Sequence, residues 1–238
     1  MTVEHWHGPA YVNEPAVRIS YVKAGALDWP GYAYIGNGRW DDPHGHFRVL
    51  YFGSSAVAAY LEVLAHYRAA PGLDAELDDI VVDEIDEEQA PTAGGHGLVP
   101  VSWLADHLRV EMSLTGRYLD VGHPVTLASL HRHFGAYAIS QGLDAGVDLS
   151  AITSASREFT QHVSGQLFSK LHFDSAPSTL DGIEYPSRHG HNLRLWALYE
   201  RAERGLGDRV RLDASSECVA TDPDLEQAMG IHGLRWET

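Results

Sequence analysis

The chain has 238 residues, enough for one large domain or two small ones, and its hydrophobic fraction of 44% is that of an ordinary soluble globular protein. Its 33 acidic and 17 basic residues give a formal net charge of −16, so nucleic acid or an anionic membrane would meet a repulsive field, although one locally basic pocket for a small anion is not excluded. Cys218 is the only cysteine, which rules out an internal disulfide and argues against cysteine-based metal sites.

In chain order, "MTVEHWHGPA" lacks the basic region and apolar run of a secretory signal. No stretch approaches the ~18 apolar residues that span a bilayer. A cytoplasmic protein without membrane contact is expected. "YVNEPAVRISYVKAGA" and "GYAYIGNG" read as short strands punctuated by Pro30 and glycines. "FRVLYF" is the best strand, rich in aromatic and β-branched residues. Ser54 or Ser55 then caps a helix running to about Tyr67. "DDIVVDEID" holds an apolar strand core, Ile80 to Val82, with solvated acidic flanks, and "EQAPTAGGHG" is loop-like. "RVEMSL" and "GRYLDVG" are either strands or irregular. Val125 to Phe173 is mainly helical, with "SREFTQHVSGQLFSKLHF" placing apolar side chains at helical spacing. "DGIEYPSR" is extended because Pro186 biases Tyr185 away from helix. "NLRLWALYERAER" reads as a helix and "RVRLDASSECVA" as a last strand. Strands and helices are mixed without strict alternation, which predicts an α+β fold in a single domain, 1–238.

Four side chains stand out for chemistry. Arg39 follows glycines 36 and 38, whose backbone can approach a ligand closely, and a guanidinium there can grip a phosphate with two parallel bonds. On this motif alone, a surface arginine beside an ordinary turn is the favoured reading. Tyr51 ends the best strand, sharing a face with Val49 while Arg48, Leu50 and Phe52 point the other way. It is either a core tyrosine or a group that stacks on a ligand. Glu62 borders the apolar helix stripe of Ala58, Leu61 and Ala65, so it lies at a wet edge or is held in a cleft. Ser187 follows "IEYP" with no G-x-S-x-G elbow, which excludes the usual hydrolase nucleophile and leaves a substrate bond or a turn cap. The histidine pairs at 44–46, 131–133 and 189–191 show no zinc spacing, so a structural or surface role is favoured over a metal site, and a non-catalytic nucleotide- or metal-binding module stays as an alternative reading of the chain.

Taken in order, "GNGRW", "VLYFGSSAVAAYLEVLAHY" and "GIEYPSR" resemble the RES-domain family, named for its arginine, glutamate and serine, over residues 36–67 and 181–188. The family's arginine, tyrosine, glutamate and serine fall on Arg39, Tyr51, Glu62 and Ser187. The resemblance implies a compact mixed β core with flanking helices, similar to the mono-ADP-ribosyltransferase fold, around a cleft for NAD. It also implies a toxin that consumes NAD as substrate, by hydrolysis, phosphorolysis or transfer of ADP-ribose to a protein. Its expected partner is an antitoxin with a helix-turn-helix domain. The chain continues well past Ser187, as an extension after about 190 that could complete the sheet, mediate self-association or serve another purpose.

The chemistry of NAD supports that assignment independently. Nicotinamide leaves as a neutral base, so its release needs no general acid. What is needed is a carboxylate to stabilise positive charge developing on the ribose, and a cation to grip the pyrophosphate. Glu62 fits the first role and Arg39 the second, with Tyr51 able to stack on a ring and Ser187 able to fix the nicotinamide or its ribose. Arg18 and Arg48 are further cations with no motif to place them.

Overall fold

The computed structural model describes residues 9–69, 97–154, 156–170 and 180–237. The predicted strand core Ile80 to Val82 and nearly all of the loop-like 88–97 segment lie outside them. The backbone is a mixed sheet with helices on its faces, as an α+β reading requires. Strands β1 (Ala10–Tyr21), β2 (Val49–Gly53), β4 (His107–Asp120), β5 (Gly182–Ser187) and β6 (Gly190–Tyr199) pair in the circuit β1–β2–β6–β5–β4–β1. β7 (Val210–Glu217) adds to the first half of β4. A short parallel pair, β3 (Leu98–Val99) with β8 (Arg235–Trp236), stands apart.

β4 carries the alternation that a half-buried strand demands, with Val110, Met112 and Leu114 buried between outward residues. They join Val12, Ala16, Leu50, Phe52, Trp196 and Leu198 in one apolar cluster. The segments "RVEMSL" and "GRYLDVG" therefore form one continuous strand. β4 and β5 are parallel, and such a pair needs a long crossover. The crossover supplies α3 (Pro124–Ser140), α4 (Leu149–Thr153) and α5 (Glu158–Lys170). On α5, Phe159, Val163 and Leu167 recur at helical spacing and bury against Trp40, Phe47, Val49 and Tyr199. On the other side, α1 (Ala56–Leu64) packs with α2 (Ser102–Asp106) and α6 (Pro223–His232) in a third cluster.

Two predicted elements are corrected. "NLRLWALYERAER" is not a helix: β6 runs through it between β2 and β5. Leu195, Ala197 and Tyr199 bury on one face and Trp196 and Leu198 on the other, and a strand buried on both faces has the unbroken apolar run that a buried helix also shows. "GYAYIGNG" is not a strand, because Gly36 takes a positive φ and the N–H groups of Gly36 and Gly38 go to the Asp41 carboxylate and not to a neighbouring strand. Tyr32–Tyr34 form a single 3₁₀ turn with both tyrosines exposed. The residues after 190 supply β6 and β7, so that part of the chain completes the sheet.

Candidate active site

The β2–α1 connection positions the glutamate. Ser55 adopts an extended backbone and its hydroxyl accepts from Ala58 N at 3.1 Å, which caps α1. Gly53 lets the helix start hard against the strand, because a Cβ there would lie 2.8 Å from Ala59 N and 3.0 Å from Ser55 O. Ala58, Tyr60, Leu61 and Leu64 are buried, and Tyr60 is tied down at its tip by donating to Asp222 Oδ2 at 2.8 Å. Asp222 in turn accepts from Arg109 at 2.9 Å. With the helix fixed on that side, Glu62 at the edge of the stripe faces a cleft, not bulk water.

Ser187, at the end of β5, donates to Glu62 Oε1 at 2.6 Å and accepts from His189 N at 3.0 Å. Burial pushes the Glu62 carboxyl above the ordinary glutamate value, while the Ser187 bond and the charges of Arg39 and Arg188 pull the other way. The serine is buried and is not itself part of the cleft wall. It lines a second hollow of about 560 Å³ that reaches the cleft at Tyr185, Arg188 and His189.

Arg39 is carried by a loop whose backbone is pinned at alternate residues. Asp41 Oδ2 accepts from Gly36 N at 3.0 Å and Gly38 N at 2.7 Å, and the Tyr51 hydroxyl accepts from Trp40 N at 3.0 Å. Gln161 Nε2 donates to the carbonyls of Gly36 and Gly38 at 2.8 and 2.9 Å, and Ser164 Oγ to that of Trp40 at 2.6 Å. The Arg39 side chain then reaches the end of α4, where Nη1 donates to Ile152 O at 3.0 Å and Ser154 O at 2.7 Å. Nε and Nη2 make no hydrogen bond among the described residues. Burial lowers the Arg39 pKa, with Glu62 among the groups that oppose the change, so the two side chains feel each other's charge across one cleft.

Tyr51 shares its face with Val49, as the strand period predicts, and lines the same cleft. Its hydroxyl is not free, since it donates to Asp41 Oδ1 at 2.7 Å and accepts from Trp40 N. Burial first, then the adjacent carboxylate, push the phenol well above its ordinary value. In this arrangement its polar end serves the Arg39 loop.

The cleft, about 530 Å³, opens where β1 and β2 meet at a single register pair, Val17 opposite Gly53. Its wall includes Arg18, Arg39, Arg68, Arg157 and Arg188, and Glu62 is its one carboxylate among the described residues. Arg18 is the most unusual of these. Its Nη1 donates to Tyr51 O at 3.3 Å, its Nε is buried with no partner among the described residues, and burial brings its pKa down to about 10. Arg48, by contrast, is not in the cleft wall: it pairs with Glu200 and lies over the Tyr32 ring.

Sequence reasoning missed Asp41, Gln161 and Ser164, which hold the loop, and gave Arg18 no place. Asp41 carries a local signal, a carboxylate three and five residues from glycine N–H groups. Gln161 and Ser164 carry none, because they meet the loop only through the tertiary fold. The histidine pairs are separately engaged. His46 binds Asp42 at 2.8 Å, His131 accepts from Val147 N at 3.2 Å, and His189 meets His232 edge to face at 4.9 Å. Burial, with His232 and three arginines adding to it, takes His189 down to about 4. Among the described residues no three His, Cys, Asp or Glu side chains gather as a metal site, and no helix is long and apolar enough to cross a membrane.

A solved structure of similar fold is the crystal structure of the M. tuberculosis MbcT–MbcA toxin–antitoxin complex. One of its chains superposes with a TM-score of 0.54 at 15% identity, over 95% of this chain and 92% of that one. No curated protein sequence matches the chain. The family model described as the RES domain matches residues 15–220, a span that includes Arg39, Tyr51, Glu62 and Ser187. The chain belongs to the RES domain family.

Proposed function

We propose that the cleft binds NAD through its phosphates and that the protein cleaves the nicotinamide–ribose bond, as a toxin held in check by an antitoxin. The observation that carries this reading is the charge of the wall: five arginines and one carboxylate among the described residues, in a chain of net charge −16. A cluster of guanidinium groups in so acidic a protein is kept at a cost in mutual repulsion, and a pyrophosphate offsets that cost. Arg18, whose Nε is buried with no partner among the described residues, is the group with most to gain. Family membership and the fold shared with a chain of a toxin–antitoxin complex support the toxin role and a partner antitoxin; the antitoxin proposed here carries a helix-turn-helix domain.

In the reaction, the electron pair of the C1′–N bond leaves with nicotinamide, which departs neutral. Positive charge develops on the ribose and is stabilised by Glu62, whose carboxylate Ser187 holds in one orientation. An oxygen of water then bonds to C1′ and its proton passes to Glu62 or to solvent, or an anionic oxygen of phosphate bonds there with no proton to lose. Arg39 and Arg18 hold the phosphates and so fix the sugar. A second reading, transfer of ADP-ribose to another protein, is favoured by the hollow that reaches Ser187 beside the cleft and offers an acceptor a separate approach.

The test is to incubate the purified protein with NAD labelled in its adenylate half and to follow nicotinamide by chromatography. Nicotinamide should appear together with free ADP-ribose or its 1-phosphate, and label on a protein band after addition of lysate would identify transfer. Intact NAD after prolonged incubation would reject both readings.

A further inference from the structure

The backbone groups flanking Arg39 are held in a regular way. The N–H groups of residues 36, 38 and 40 are each taken by a side-chain oxygen, and the carbonyls of the same three residues are each taken by a side-chain donor. Four side chains from three places do this: Asp41 in the loop, Tyr51 on β2, and Gln161 and Ser164 on α5. Asp41 is the hub. Its buried carboxylate accepts from Gly36 N, Gly38 N and the Tyr51 hydroxyl, so it both shapes the loop and orients the phenol that holds Trp40. Gly38 is part of the same fit, because a Cβ there would fall 2.5 Å from Asp41 Oδ1 and closer still to the Tyr51 hydroxyl. Trp40 locks into the core on one side of the loop, fully buried and edge-on to Tyr185 at 5.5 Å, while Arg39 turns to the cleft.

We infer that Asp41 is a positioning residue of this site: through the clamp it makes with Tyr51, it sets where the Arg39 guanidinium stands before any ligand arrives. The inference rests on the reading of the cleft as a phosphate-binding site. It assigns Tyr51 a new part, in which the hydroxyl works on the loop whatever its ring does toward the ligand. A loop fixed beforehand loses little freedom when it grips an anion, and a displacement of about 1 Å at such a group is enough to cost on the order of a hundredfold.

The experiment is a double-mutant cycle read by calorimetric titration with ADP-ribose, using the full chain and the variants Asp41→Ala, Arg39→Ala and the two combined. Asp41→Ala should weaken binding by roughly tenfold or more, and adding it to Arg39→Ala should weaken binding no further, since its effect travels through the arginine. Equal losses in both backgrounds, or none, would overturn the inference. Asp41→Asn keeps the volume and one accepting oxygen, so it should retain part of the affinity and serves where alanine fails to fold. Amide hydrogen exchange at residues 36–40 reads the clamp without any ligand. Exchange there should quicken in Asp41→Ala or Asp41→Asn, and unchanged exchange would sink the proposal. If the unaltered protein binds no ADP-ribose, the phosphate-site reading fails while the exchange experiment still decides whether Asp41 holds the loop.

Discussion

Replacing Arg18 by methionine should make the protein more stable and worse at binding. The guanidinium lines the cleft, makes one 3.3 Å bond to Tyr51 O, leaves Nε unpartnered among the described residues, and is brought by burial to about 10. An ordinary arginine titrates above about 12, so holding this one charged at neutral pH costs roughly 3 kcal/mol. Methionine has similar length and removes that cost, against about 1 kcal/mol for the lost hydrogen bond. A net gain of about 1–2 kcal/mol corresponds to a rise in Tm of a few degrees for a chain of this size. Binding should move the other way. A charge-assisted bond to phosphate is commonly worth about 1.5–3 kcal/mol, so affinity for ADP-ribose should fall roughly tenfold to a hundredfold. Adenosine, which has no phosphate, should bind both proteins alike. Calorimetry and thermal melts on the same two samples give the answer. A variant that melts lower and binds ADP-ribose as before would show that Arg18 is a strut of the β1–β2 contact and would refute the reasoning.

Ser187→Ala removes the one hydrogen bond among the described residues that favours the Glu62 carboxylate, so its pKa should rise further and the acid limb of the rate–pH profile should move to higher pH. An unmoved limb in the variant would show that Glu62 does not govern that limb. Glu62→Gln should raise Tm at neutral pH. Because the carboxyl is raised in the folded state, the native protein binds more protons than the unfolded chain between the ordinary and the raised value, and stability declines as pH increases through that window. The gain from glutamine should therefore shrink when melts are repeated at a pH below the raised value. A difference independent of pH would contradict the assignment.

The part of the site formed by neighbours in sequence was legible. The Ser55 cap, the strand ending at Tyr51 and the face shared with Val49 all follow from local rules of capping and alternation. Whether Glu62 lay at a wet edge or in a cleft was open, because that depends on Ser187, 125 positions away, and on the Arg39 loop. β6 was misread because burial on both faces erases the period that separates strand from helix. α6 went unread although its signals are present: the Asp222 cap, Pro223 in the first turn and Gly233 in the left-handed conformation at its end. The α5 side of the clamp was beyond reach, since Gln161 and Ser164 lie on a helix with no local reason to face residues 36–40.

The most direct measurement is a crystal structure of the Glu62→Gln protein with NAD bound, because that variant should hold the intact substrate without turning it over. The ribose C1′ should stand within about 4 Å of the amide at position 62, near enough for a carboxylate to stabilise a developing cation. The two phosphates should lie against Arg39 and Arg18. NAD seated elsewhere, or lying in the cleft with its phosphates away from both arginines, would contradict the account.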